Sequence, residues 1–133
     1  MERRKFLKFF GLAPFFPFLK IPASALEKPR RVLLAEFFIA GFQYHEGMKP
    51  DVFRTLKESE ALVLRREPNN PHDPLAIAIF TKGGRQIGYV PRTCNYSPAL
   101  VADQDVRLSA EIAGIDPKAE SWERVQVSLW QEV

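Results

Sequence analysis

Between residues 61 and 90 the chain alternates short apolar runs with stretches that cannot continue them. This punctuation restricts it to short strands joined by tight turns. Ala61-Leu62-Val63-Leu64 runs into a polar segment, and Leu75-Ala76-Ile77-Ala78-Ile79-Phe80 runs out of it. The segment between them holds Pro68, Pro71 and Pro74 together with Asn69, Asn70, His72 and Asp73. Each proline fixes its own φ and restricts the residue before it to extended conformations. Asn and Asp side chains hydrogen-bond to nearby backbone and stabilise turns. A rigid loop that displays polar side chains at the end of a sheet is also a natural recognition surface. On turn chemistry alone, the plain reading is a hairpin connection.

The rest of the chain follows the same rule. Val32 begins an apolar run that predicts a strand through about Phe42, after which Gly47, Pro50 and several charges predict a loop with one helical turn near Val52–Leu56. Strands are expected at Ala61–Arg66, Leu75–Thr81 and Gln86–Val90, the last two joined by the Lys82-Gly83-Gly84-Arg85 turn. A short helix is expected over Asn95–Ala102, with Ser97 as its N-cap and Pro98 at its first position. Alternation predicts a fifth strand at Val106–Ile115 and a sixth through Val125, Val127 and Leu129. Six short strands with one or two short helices predict a mainly β fold. The expected form is a small six-stranded barrel of the OB-like or SH3-like kind, closed so as to leave no exposed edges.

The first 25 residues read differently. Glu2-Arg3-Arg4-Lys5-Phe6-Leu7-Lys8 resembles a twin-arginine export signal, and Phe9–Leu19 is an apolar stretch of 11 residues. That stretch is too short to cross roughly 30 Å of hydrocarbon, and Pro14 and Pro17 disfavour a regular helix. Ala23-Ser24-Ala25 matches a cleavage site. The expected organisation is a signal peptide at 1–25, a linker at 26–33 and a folded domain at 34–133. The exported, periplasmic chain would begin at Leu26 and retain no membrane span. The alternative is a cytoplasmic protein with an N-terminal arm. Mass spectrometry of the envelope fraction should find Leu26 as the N-terminus; an intact chain in the cytosol would contradict the leader reading.

The leader also explains the charge. Of the net +3, residues 1–25 carry +4 and the remainder −1. Phosphate binding by the folded part must therefore come from a local site rather than a general positive field. The single cysteine, Cys94, excludes an internal disulfide and a cysteine zinc cluster. No cofactor or metal is expected.

Three segments follow one another in a specific order. Phe38-Ile39-Ala40-Gly41-Phe42-Gln43-Tyr44 comes first. Arg66-Glu67-Pro68-Asn69-Asn70-Pro71-His72-Asp73-Pro74-Leu75-Ala76-Ile77 follows, and Gln86-Ile87-Gly88-Tyr89-Val90-Pro91 comes last. Together they resemble the HIRAN domain, with its R-E-x-x-N-x-x-D-x-x-A-I run and I-G-Y-V-P strand, over about residues 34–115. The resemblance implies an oligonucleotide-binding-like barrel that captures the 3′-hydroxyl end of single-stranded DNA and is not itself an enzyme. It implies that Tyr44 stacks on a base, that Asp73 contacts the terminal hydroxyl, and that Asn69 and Asn70 shape the pocket. His72 stands where a eukaryotic relative has Tyr, Tyr89 where it has His, and Gln43 where it has an Arg that helps hold DNA.

The residues support this chemistry in their own right. A carboxylate accepts a hydrogen bond from a sugar hydroxyl and repels a phosphate, so Asp73 is suited to a free end. Tyr44, His72 and Tyr89 offer flat faces, and Arg65, Arg66 or Arg92 offers a phosphate contact. The same residues also have plainer roles open to them: Tyr44 and Tyr89 as core aromatics, Asp73 as a turn cap, Arg65 and Arg66 as solvated surface. Two rival functions use the same region. One is an envelope module binding a peptide, glycan or protein, monomeric like the first. The other is a metal-dependent hydrolase of phosphate esters or anhydrides built from His45, Glu46, Glu67, His72 and Asp73, although no recognised metal-ligand spacing is present.

Overall fold

A computed structural model describes residues 30–133; the leader and residues 26–29 of the linker lie outside the described residues. Six antiparallel strands form one sheet: β1 Arg31–Phe38, β2 Ala61–Glu67, β3 Ala76–Phe80, β4 Gln86–Tyr89, β5 Leu108–Ile115 and β6 Val125–Glu132. Their spatial order is β1-β6-β5-β2-β3-β4. Two short helices, α1 Pro50–Phe53 and α2 Tyr96–Asp103, interrupt them. The expected strand number, hairpin and helices are all present.

The sheet curls because β2 changes partners along its length. Ala61 and Leu62 pair with β5, whereas Val63 to Glu67 pair with β3. The free edges, β1 and β4, then come together at one place, just beyond the end of β1. Ala40 N–H donates to the Tyr89 carbonyl at 2.9 Å, and Tyr89 N–H to the Ala40 carbonyl at 3.0 Å. The result is a curled half-barrel joined at that bridge rather than a barrel zipped along its whole seam.

Inside the curl, Ile39, Phe42, Ile77, Ile79, Ile87, Ile112, Val125, Val127 and Leu129 are almost wholly buried. Each such side chain stabilises the fold by about 1.5–3 kcal/mol relative to exposure. Of these, Ile112 is an inward position of the alternating run in β5, whereas Ile39 and Phe42 are contributed from beyond the end of β1.

Two local expectations need correction. The first strand does not reach Phe42. Gly41 has φ +72°, and Phe42–Tyr44 forms a single 3-10 turn. A left-handed residue ends the extended run, and Gly is the residue that adopts it without steric cost. Gln43 and Tyr44 therefore sit on a turn and not on the sheet. The helix α2 is capped by Asn95 rather than Ser97 and begins at Tyr96, so Pro98 lies inside its first turn. A proline is tolerated there because the N–H it lacks would have no partner within the helix.

Candidate functional site

The bridge between Ala40 and Tyr89 forms one wall of an open cleft of about 230 Å³, lined by Ala40, Asn70, His72, Asp73, Ala76, Tyr89, Val90 and Arg92. Its apolar lining is made of small residues, Ala40 and Ala76, with Val90. Its polar rim comes from the loop that follows β2 and from the segment that follows β4.

The loop is held from within. Asn70 Oδ1 accepts from the backbone N–H of His72 (2.8 Å) and of Asp73 (3.1 Å). Asp73 Oδ1 accepts from Leu75 N–H at 2.9 Å, and Asp73 Oδ2 from Asn95 Nδ2 at 2.8 Å. Asp73 is therefore a turn cap, as its plainer role required, and it also faces the cleft. Its side chain remains 14% exposed, with Arg92 Nε 3.8 Å away. The Leu75 N–H, then Asn95 and the guanidinium of Arg92, outweigh partial burial and hold its carboxyl below the ordinary aspartate value. The group is an anion at neutral pH with lone pairs still available.

Tyr89 forms the opposite wall. Its hydroxyl donates to Glu67 Oε1 at 2.8 Å, and Asn70 Nδ2 donates to the same oxygen at 3.0 Å. Burial, together with the hydrogen bond and charge of Glu67, pushes the phenol above its usual value. The His45 ring meets the Tyr89 ring edge to face, with centroids 5.7 Å apart. His45 Nδ1 lies 2.7 Å from the Gly41 carbonyl. A carbonyl only accepts, so this nitrogen carries the proton.

The structure thus gathers Asn70, His72, Asp73, Tyr89 and Arg92 in one cleft, and leaves Gln43, Tyr44, Arg65, Arg66 and Asn69 outside its lining. Tyr44 is 82% exposed on the turn beside His45, so it is not a core aromatic. Gln43, next to it, has a buried Oε1 without a partner among the described residues. Asn69 is exposed on the outer side of the loop, where a shallow depression also touches Arg66.

Arg66 is committed to structure. It forms a fork to Asp103, Nε to Oδ1 and Nη2 to Oδ2, both at 2.9 Å. Its Nη1 donates to the carbonyls of Pro74 (2.9 Å) and Ala76 (3.1 Å). This clamp fixes the base of the Asp73 loop against the end of α2. Lys has no planar fork, so Arg66→Lys should cost about 1–2 kcal/mol of stability, read as a lower urea midpoint at unchanged slope. An unchanged midpoint would remove the clamp from the account.

Three participants carry no local signal for this site in the sequence. Glu67 and His45 read there as metal ligands, and Asn95, 2% exposed, as the start of a helix. The five residues of the hydrolase alternative are spread among separate partners: Glu46 pairs with Arg85, and Glu67, Asp73 and His45 are bound as described. Among the described residues, no group of three His, Cys, Asp or Glu could hold a metal ion.

Comparison with known proteins gives a consistent picture. The family model described as HIRAN domain matches residues 32–133. The helicase-like transcription factor of Mus musculus is 29% identical over 79 residues, and that of Oryctolagus cuniculus 30% over 79 residues. Each match covers 59% of this chain and 7% of the relative, so the chain spans only a small part of those proteins' length. Among solved structures, a protein from Lactobacillus plantarum superimposes with a TM-score of 0.68 at 26% identity, covering 79% of this chain and 98% of that one. The HIRAN domain of human HLTF superimposes with a TM-score of 0.55 at 19% identity, covering 77% and 78%.

Proposed function

The chain belongs to the HIRAN domain family, and on that premise we propose that its cleft binds the 3′-hydroxyl end of single-stranded DNA without catalysing a reaction. The observation that carries this reading is Asp73. It is an oriented, ionised and partly exposed carboxylate at the rim of a small apolar-lined cleft, between His72, Tyr89 and Arg92. The free lone pairs of such a group suit the hydroxyl of a chain end. The Tyr89 and His72 rings suit a base, and one stacked base contributes about 1–3 kcal/mol.

The charge pattern sets the expected character of binding. Among the described residues lining the cleft, Arg92 is the one guanidinium, and its side chain is 78% exposed. Arg66 is occupied by Asp103, and Arg65 lies over the Phe80 ring at 4.3 Å. One or two phosphate contacts follow, hence a shallow salt dependence, with a slope of log K against log salt of roughly −0.7 to −1.4. Fluorescence anisotropy with a linear and a circular single strand of equal length tests the reading. The linear strand should bind with that shallow slope and the circular one should not. Equal binding of the two, or a slope several times steeper, would replace end capture by general electrostatic attraction.

A further inference from the structure

We propose that Glu67 is a specificity-determining residue of the cleft, supplying a second negative charge behind Tyr89 and Asn70 that disfavours anionic chain ends. The inference rests on the end-binding reading above and concerns what sets its selectivity.

The geometry gives Glu67 one oxygen with two donors. Tyr89 Oη and Asn70 Nδ2 both point at Oε1, at 2.8 and 3.0 Å. These donors come from the two sides of the cleft: Tyr89 ends β4, and Asn70 belongs to the loop that follows β2. Both line the cavity, so the carboxylate lies one hydrogen bond behind its surface. Among the described residues, none of the ion pairs involves Glu67, whereas Asp73 has Arg92 close by. The Glu67 carboxylate is thus met by two neutral donors and by no cation of those ion pairs.

Two consequences follow for a ligand. The Tyr89 hydroxyl proton is directed away to Glu67, and both ends of the Asn70 amide are already in use, Oδ1 by the loop backbone and Nδ2 by Glu67. The cleft therefore shows an incoming group acceptors and ring faces on these two walls, and its one cationic donor is Arg92, already 3.8 Å from Asp73. A terminal phosphate meets two carboxylates against that single guanidinium. A terminal hydroxyl donates to Asp73 and carries no charge for Glu67 to repel.

Glu67→Gln tests this, because the amide oxygen still accepts from Tyr89 and Asn70 while the charge is gone. The readout is the ratio of affinities for one single-stranded oligonucleotide ending in 3′-hydroxyl and the same oligonucleotide ending in 3′-phosphate. The ratio should fall by roughly three- to tenfold in Glu67→Gln, mostly through tighter binding of the phosphate form. Glu67→Asp, which keeps the charge, should retain most of it. A purely structural role would weaken both ligands equally and leave the ratio unchanged, and that result would overturn the inference alone. If the wild-type protein binds neither oligonucleotide, the end-binding reading falls and this inference with it.

Discussion

Gly88→Ala should lower the melting temperature by more than about 10 °C, the equivalent of about 3 kcal/mol or more in a domain of this size. Gly88 has φ +147°, a conformation that L side chains rarely adopt. A Cβ there would stand 2.3 Å from Ile39 Cγ2 and 2.6 Å from the Ala40 carbonyl oxygen. Ile39 is 1% exposed, and the Ala40 oxygen accepts from Tyr89 N–H, so neither neighbour is free to move aside. The added methyl would force β4 away from the end of β1 at the one place where the curled sheet is joined. Since Ala40 and Tyr89 also line the cleft, any folded fraction should show weakened ligand binding. A melting temperature within two or three degrees of wild type would mean that the bridge is not needed to hold the sheet together.

Asp73→Asn should reduce affinity for a 3′-hydroxyl end by roughly 10- to 100-fold, the loss of one hydrogen bond to a charged acceptor. It is a sharper substitution than Asp73→Ala. Alanine leaves Leu75 N–H and the buried Asn95 amide without an acceptor, which costs about 1–3 kcal/mol of stability in addition. Asparagine keeps an oxygen for Leu75, and a flip of the Asn95 amide lets its oxygen accept from the new NH2, so the substitution changes mainly the charge. Acid sensitivity should change as well. The folded-state pKa of Asp73 is depressed, so its contribution to stability is complete above the unfolded value of about 3.9 and is lost as pH falls through the lower folded value. The wild-type protein should therefore lose stability below about pH 4 more steeply than Asp73→Asn, as read by urea midpoints measured between neutral and acid pH. Parallel curves would show that the Asp73 interactions add nothing to the fold.

The strands were legible in the sequence because apolar alternation and Pro or Gly punctuation act locally. The run Ala76-Ile77-Ala78-Ile79 is buried at every position, which requires both faces of β3 to be covered. The Lys82-Gly83-Gly84-Arg85 turn marked a hairpin that the structure contains. Local signals misplaced what depends on a single φ or a single cap. Gly41 reads as part of an apolar run until its left-handed conformation is known, and that conformation carries Gln43 and Tyr44 off the sheet. Ser97 before Pro98 is a sound capping signal, yet the chain begins the helix earlier and sends the Asn95 side chain to Asp73.

The site was legible only in part, for a related reason. His72, Asp73 and Asn70 lie in one loop, and Tyr89 lies in a strand whose motif accompanies that loop, so sequence order grouped them. The contacts that fix them are long-range. Tyr89 reaches Glu67 across 22 positions, Asn95 reaches Asp73 across 22, and Arg66 reaches Asp103 across 37. Periodicity and turn chemistry carry no information about such pairs, which depend on β2, β3 and β4 lying side by side and on α2 packing at their end. Hence Arg66, a natural phosphate ligand by residue type, proves to be a clamp, and Glu67 proves to be the acceptor that joins two walls of the cleft.

On the end-binding reading Asp73 selects an uncharged chain end, which can be measured by titrating wild type and Asp73→Asn with one single strand carrying either a 3′-hydroxyl or a 3′-phosphate. Wild type should prefer the hydroxyl form by about tenfold or more, equivalent to about 1.4 kcal/mol, and Asp73→Asn should lose most of that preference while remaining folded. Equal affinity of wild type for the two ends, or a preference that survives in Asp73→Asn, would contradict that reading.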